Sequence, residues 1–130
     1  MGSPAVIKSS HDGTSLEFSD HSAGYYVATL RGPEFHGSAR VYADEPSHLV
    51  AFFRDLATNW RGWSGKKEWA SLEGELSFAA TCDSTGHTSL AARLRSGPYP
   101  FDWTLTAVLL IEAGQLELIA KQMEEFLIAD

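Results

Sequence analysis

Apolar and polar residues alternate along the first third of the chain, which is the pattern of strands with one face in a core. Four stretches have this alternation or an extended composition, at residues 6–9, 15–19, 25–31 and 35–42. Asp12-Gly13 separates the first two stretches and Gly32-Pro33 separates the last two. Both dipeptides are typical of tight turns. The pattern therefore predicts four strands, which we interpret as two hairpins.

Alternation resumes in the second half, at residues 71–80, 89–95 and 101–112. Residues 82–86 have the composition of a hairpin loop between the first two of these stretches. A ladder closed by this loop predicts two ion pairs on the solvent face, Glu75 with Arg93 and Glu73 with Arg95. The last stretch becomes apolar on both faces, which predicts a central strand.

Two further segments have the three-and-four spacing of amphipathic helices, at residues 45–60 and 116–127. The first contains a proline suited to a first turn and is followed by Gly62. Trp60 is in phase with the apolar face of this helix, and Trp103 is in phase with the apolar face of the last strand. Both indoles are therefore predicted to be buried.

The order of these elements predicts an α+β fold, with a mainly antiparallel sheet of about six to seven strands and both amphipathic helices packed on one face. The chain has 130 residues, which suits a single domain over residues 1–130. Hydrophobic residues at 44% and charged residues at 21% are ordinary for a globular protein and exclude a disordered chain.

Charge and cysteine content narrow the expected partners. Ten Lys and Arg against seventeen Asp and Glu give a net charge of −7, which repels phosphate backbones, so nucleic acid is not an expected partner. The single cysteine, Cys82, cannot close an intramolecular disulfide, which favours the cytoplasm. Residues 1–10 lack the pattern of a secretion signal, and the longest apolar run, residues 107–111, is too short to span a bilayer. Membrane association is not expected either.

The sequence contains none of the short motifs that fix a reaction, including the glycine-rich phosphate loops and the zinc-protease and serine-hydrolase patterns. Cys82, Asp83 and His87 are the nearest approach to a catalytic group. A carboxylate beside a thiol raises the thiol pKa, so we expect this cluster to be structural. The histidines lack zinc-ligand spacing. We therefore expect no metal and no cofactor. A binding protein is expected in preference to an enzyme.

The segment from residue 59 to residue 69 contains three of the four tryptophans and three of the ten cations. This mixture is typical of interface hot spots. We predict a partner-binding loop here. Its expected binding residues are Trp63, Trp69, Arg61, Lys66 and Lys67. The alternative is that the indoles cover the open end of the sheet, since large aromatic residues beyond a helix are often part of a core.

Several motifs carry a resemblance to a known family. They are Arg31-Gly32-Pro33, the W-x-G-W pattern at residues 60–63, the S-L-E-G-E-L pattern at residues 71–76 and Asp102-Trp103-Thr104. Through them nearly the whole chain resembles a family of small bacterial proteins with a domain of unknown function. In size and layout it is also similar to cytosolic immunity proteins that neutralise bacterial toxins. Neither resemblance implies catalytic residues.

The leading hypothesis is a non-enzymatic cytosolic protein-binding domain, immunity-like in its layout, that uses an acidic exterior and the Trp-rich segment. The expected partner is another protein, and self-association into a homo-oligomer is a further possibility. The alternative is a small-molecule binding protein or an enzyme with a pocket between sheet and helices. The residues proposed to line that pocket are Trp63, Trp69, Trp103, Tyr26 or Tyr42, and His36.

Overall fold

A computed structural model describes residues 4–128. Eight strands and two helices follow one another in the order four strands, helix, four strands, helix. The strands are β1 (Ala5–Lys8), β2 (Ser15–Ser22), β3 (Tyr25–Arg31), β4 (His36–Tyr42), β5 (Trp63–Ala70), β6 (Leu76–Cys82), β7 (Thr88–Arg95) and β8 (Thr104–Ile111). The helices are α1 (Pro46–Thr58) and α2 (Ala113–Leu127). Neither helix is both long and apolar enough to cross a bilayer.

The strands form two antiparallel sheets of four, where the sequence predicted one sheet of six to seven strands. Sheet A has the order β1-β2-β3-β4, and sheet B has the order β5-β6-β7-β8. The α+β class and the antiparallel pairing are confirmed, and the single sheet is wrong. Alternation shows which face of a strand is buried, but it does not show whether the next strand joins the same sheet.

Strand β8 crosses the inner face of sheet A. Near its start, a Cβ placed on Gly37 of β4 would lie 2.8 Å from Cδ2 of Leu105. Near its end, the Ser10 N–H, just beyond β1, donates to the Leu110 carbonyl over 2.9 Å. Because β1 and β4 are the two edges of sheet A, β8 spans the whole width of that sheet. The inner faces of both sheets therefore share one hydrophobic core.

The two helices pack against different sheets and against each other. Phe52 of α1 stacks on Phe78 of sheet B, with ring centroids 5.8 Å apart. Phe126 of α2 packs on Phe18 of sheet A at 6.2 Å. Arg54 of α1 forms ion pairs with two glutamates of α2. The prediction of both helices on one face of one sheet is therefore replaced by a helix pair that contributes to a core between two sheets.

The predicted loop at residues 60–69 is largely strand β5, an edge strand of sheet B. Its pairing with β6 shifts register between Trp63 and Lys67. Gly65, within this irregular part, has a φ of +74°. The bulge disturbs the period of two by which a strand is recognised in a sequence. For that reason the segment has no clear pattern although it is extended.

The predicted register of the β6–β7 hairpin is wrong by two residues. Arg93 lies opposite Ser77, and Thr81 lies opposite Ser89. No ion pair joins Glu73 or Glu75 to Arg93 or Arg95 within residues 4–128. The carboxylate of Glu75 instead accepts hydrogen bonds from Ser71 and from the backbone of Tyr42. These bonds, one within the turn and one from β4 of sheet A, hold the Glu75 carboxylate in place before β6 begins.

Candidate functional site

The two tryptophans predicted to bind a partner are half-buried on the inner side of β5. The Trp63 indole N–H donates to the Ala80 carbonyl over 3.2 Å. Trp69 packs on Phe78 with ring centroids 5.7 Å apart. Both indoles contact the hydrophobic core. These positions agree with the alternative interpretation, in which the indoles cover part of the sheet and belong to the core.

The three cations of the predicted site have different surroundings. The ammonium of Lys67 lies 2.9 Å from Asp55 of α1 and 5.4 Å from the centre of the Trp63 ring. Arg61 is exposed and lies over the ring of Trp60 at 4.9 Å. Lys66 is exposed. Arg61 and Lys66 are therefore the most accessible of the five predicted binding residues, while Lys67 is held by a charge of its own chain.

Trp60 and Trp103, predicted to be buried, are 44% and 43% exposed. Helix α1 ends at Thr58, so the helical phase that assigned Trp60 to the core stops before it. Trp103 comes one residue before β8 begins and lies at the rim of the core. Both residues have the phase of buried positions but lie beyond the ends of their elements.

Four large apolar side chains are exposed on two turns of sheet B. They are Leu72 at 66%, Tyr99 at 58%, Phe101 at 84% and Trp103. The first belongs to the β5–β6 turn and the others to residues 96–103 between β7 and β8. In an up-and-down antiparallel sheet these two connections lie at the same end. We call these four residues the aromatic end of sheet B.

The aromatic end is braced by hydrogen bonds within its own turn. The Asp102 carboxylate accepts the Tyr99 N–H at 2.8 Å and the Ser96 hydroxyl at 3.2 Å. The Trp103 N–H donates to the same hydroxyl at 3.0 Å. The rings of Tyr99 and Phe101 are stacked, with centroids 5.3 Å apart and planes 5° from parallel. The turn backbone that carries the exposed rings is therefore held by bonds within the turn itself.

Sequence reasoning missed Tyr99, Phe101 and Leu72 as candidate site residues. The available signal was Pro98-Tyr99-Pro100-Phe101, which places two aromatic residues between prolines outside any periodic segment. A turn of this composition has no periodic pattern of apolar residues. The sequence therefore does not predict whether its aromatic side chains are buried or exposed. The sequence signal was stronger at Trp63 and Trp69 of β5, which pack against the core.

Five of the six residues proposed to line a small-molecule pocket lie at two separate places, and Trp63 lies at neither. Tyr26, Tyr42 and Trp69 meet at a cleft of about 40 Å³, whereas pockets for drug-sized ligands measure roughly 300 to 1,000 Å³. Burial, with a smaller effect of Glu75, raises the pKa of Tyr26 above its ordinary value. Trp103 and His36 line a separate open groove of about 480 Å³ between the starts of β4 and β8. The geometry does not favour one enclosed binding pocket.

Three polar residues of the turn between β6 and β7, together with Glu112, form the cluster that most resembles a catalytic group. The Thr85 hydroxyl lies 2.8 Å from Nδ1 of His87, whose Nε2 lies 3.2 Å from the Glu112 carboxylate. Thr85 also donates to Asp83, and this bond is the main cause that lowers the pKa of Asp83 to about 2. Because the hydroxyl proton is directed at Asp83, His87 is not placed to accept it. These contacts brace the turn, and Cys82 beside it is buried.

The charged exterior contains several cations that are already paired. Arg31 lies 3.0 Å from Glu17, and the pairs formed by Arg54 and Lys67 are described above. In the described part of the chain, no three His, Cys, Asp or Glu side chains are grouped so that they could hold a metal ion. With a net charge of −7, the unpaired surface charge is predominantly negative.

The chain belongs to a family of unknown function (DUF6228), whose model matches residues 7–130. This match agrees with the resemblance based on the W-x-G-W and S-L-E-G-E-L patterns. No curated protein and no solved structure matches the chain. The family assigns no reaction and no ligand, so the geometry of the described residues is the basis for a function.

Proposed function

We propose that this protein is a non-enzymatic protein-binding domain that uses the aromatic end of sheet B as its contact surface. The observation that carries the proposal is the stacked pair of Tyr99 and Phe101, highly exposed and held by the Asp102 hydrogen bonds. Large exposed apolar patches mark interaction sites, and tyrosine and tryptophan are enriched among hot spots. A preformed turn also reduces the entropy lost on binding.

The negative exterior supports the choice of a protein partner. A net charge of −7 attracts a basic surface over long range and increases the rate of encounter. The same net charge repels the phosphate backbone of nucleic acid, although one cation, Arg95, lies at the aromatic end with its Nη2 3.4 Å from the Tyr99 carbonyl. A partner with a positive rim around an apolar centre is therefore the proposed class. An immunity role would make that partner a toxin encoded beside the gene, and the lone cysteine supports a cytoplasmic location.

The test compares three forms of the full chain as bait in a lysate of the native host: the wild type, Phe101→Ala and Leu118→Ala. Leu118 is exposed on α2, away from the aromatic end, and is the matched control. We expect a protein captured by the wild type and by Leu118→Ala and lost with Phe101→Ala. With the purified partner, Phe101→Ala should weaken the complex by at least about 30-fold, which is the size of a hot-spot residue at roughly 2 kcal/mol.

Two results would contradict this proposal. One is a partner that Phe101→Ala captures as well as the wild type does, because the contact surface would then lie elsewhere. The other is the absence of any captured protein, including the products of neighbouring genes tested in purified form. A thermal melt of each variant shows that a loss of binding is not a loss of folding.

A further inference from the structure

The outer edge of β8 has free backbone groups along most of its length. At Leu110 the edge is occupied, because its N–H donates to the Ser9 hydroxyl over 3.0 Å and its carbonyl accepts the Ser10 N–H. In an antiparallel ladder, every second residue points its N–H and C=O the same way. The β7–β8 register is uninterrupted from Thr104 to Ile111. Thr104, Thr106 and Val108 therefore direct their backbone groups away from β7.

These three residues have no backbone partner on that side among residues 4–128. The contact at Leu110 shows that this edge can form hydrogen bonds with another segment, in this case the turn that follows β1 in the same chain. An unpaired edge of this kind is a template for a further strand.

The other three edge strands carry features that oppose strand addition. Strand β1 has only four residues, and the Val6 N–H donates to a side chain of α2. In β4, the Tyr42 N–H is taken by Glu75, and Arg40 adds charge. Strand β5 carries two lysines, a glutamate and a bulge. Short length, charge and bulges are the usual protections of an edge.

Strand β8 has none of these protections. Its eight residues, Thr-Leu-Thr-Ala-Val-Leu-Leu-Ile, include no charged residue, no proline and no glycine. Val108 is exposed, and Leu105 and Ala107 on the inner face are only partly covered where the sheet ends. The open groove between the starts of β4 and β8 leaves space beside the edge. An added strand would cover these apolar groups as well as pair the backbone.

We propose that β8 is a homodimer interface, in which a second copy of this chain adds its own β8 in the antiparallel direction. The free positions determine the register. A two-fold axis at Thr106 places Thr106 opposite Thr106 of the second copy and Thr104 opposite Val108, so all three free positions on each chain are paired. Pairing ends at Thr104 of the second copy, before it reaches the occupied edge at Leu110. Sheet B of each copy becomes half of one eight-stranded sheet.

A second copy fits this edge because the two-fold arrangement brings no like charges together along the strand. It also pairs threonine with threonine at its centre, which is a favourable cross-strand contact. The paired positions do not include Tyr99 or Phe101, which carry the proposed function, although Trp103 of the aromatic end directly precedes β8 and lines the groove beside it. Phe101→Ala should leave the dimer unchanged.

The test is the molar mass of the full chain in solution, by light scattering and by sedimentation equilibrium over concentrations up to the millimolar range. The wild type should have twice the mass of one chain. Thr106→Lys places two ammonium groups opposite each other at the axis and should weaken the dimer by at least about 30-fold. Thr81→Lys makes the same change on an exposed position of the central strand β6 and should leave the dimer intact.

Thr106→Pro is a second variant, which removes only an N–H that points away from β7. It should also give a single-chain mass, with a far-UV spectrum like that of the wild type. In hydrogen exchange, the amides of Thr104, Thr106 and Val108 should become protected as concentration rises. A wild type that stays a single chain at every concentration overturns the proposal. A dimer that persists with both Thr106 variants also overturns it. Protection of the β8 amides from hydrogen exchange only when a different protein is added would overturn it as well.

Discussion

At the scale of single residues, the burial of the four tryptophans differs from the burial that the sequence periodicity predicts. Trp63 and Trp69 lie outside any periodic segment, yet both pack against the core from β5. Trp60 and Trp103 have the phase of core residues, yet both are substantially exposed. The phase of a residue gives the direction of its side chain. Whether anything covers that side chain depends on elements from other parts of the chain.

This difference predicts unequal losses of stability on truncation of two neighbouring tryptophans. Trp63→Ala removes core contacts and the hydrogen bond to Ala80 and should lower the free energy of unfolding by about 2 to 3 kcal/mol, somewhat less than a fully buried indole. Trp60→Ala removes a ring that is 44% exposed and that lies beside Arg61 and close to Gly86, and it should cost less, about 1 kcal/mol. Urea unfolding followed by far-UV circular dichroism measures both values. Equal losses would show that Trp60 contributes as much to the stability of the core as Trp63 does.

At the scale of elements, the W-x-G-W and S-L-E-G-E-L patterns of this chain are explained by turn geometry. In W-x-G-W, Gly62 has a φ of +122°, and a Cβ at this position would lie 2.8 Å from the Asp83 carbonyl oxygen. In S-L-E-G-E-L, the Ser71 hydroxyl donates to Glu75 over 2.7 Å, and Gly74 has a φ of +79°. These residues join β5 to its neighbours, which accounts for patterns without an associated reaction.

Two glycines on either side of Trp63 provide a matched test of this explanation. Gly62→Ala combines a disfavoured φ with a collision against backbone that cannot move aside, and should destabilise the fold by more than about 2 kcal/mol. Gly65 also has a positive φ, but no atom lies within 4 Å of the position of a Cβ. Gly65→Ala should therefore cost only about 1 kcal/mol.

Thermal and urea unfolding of the two glycine variants give the comparison directly. If Gly62→Ala were as mild as Gly65→Ala, the close approach of Gly62 to the β6–β7 turn would not be a determinant of stability. The W-x-G-W pattern would then need another explanation.

At the scale of the whole molecule, two sheets and two helices share one hydrophobic core. Strand β8 lies across sheet A, and the two helices are joined by the ion pairs of Arg54. Neither sheet has a separate core that would remain buried without the other. Small domains with one core usually unfold in a single cooperative step.

All four tryptophans lie in or beside sheet B, so their fluorescence reports on that half of the molecule. Ile7→Val removes one methylene group from the buried face of β1 in sheet A and should cost about 0.5 to 1.5 kcal/mol. Because the core is shared, the urea midpoint by tryptophan fluorescence should fall by the same amount as the midpoint by circular dichroism. A fluorescence midpoint that does not move would mean that the sheets unfold separately.

Much of the local structure follows from the sequence by itself. The strands of the first third, both helices and the hairpin nature of the β6–β7 connection are predicted from periods of 2 and 3.6 residues and from turn dipeptides. These periods are properties of the backbone over a few residues, so no distant contact is needed to read them. The failure at β5 has the same origin, because a bulge changes the local period.

Tertiary structure decided how the strands divide between two sheets, which tryptophans are covered and which edge is left open. The candidate binding surface belongs to this group, because the pairing of four strands places the turns that carry Leu72 and Phe101 at the same end of sheet B. Each of these features depends on contacts between residues far apart in the chain, such as Gly37 with Leu105 and Ser10 with Leu110. A periodic pattern assigns a side chain to the inside of its own element, and only the packing of other elements determines whether that inside is closed.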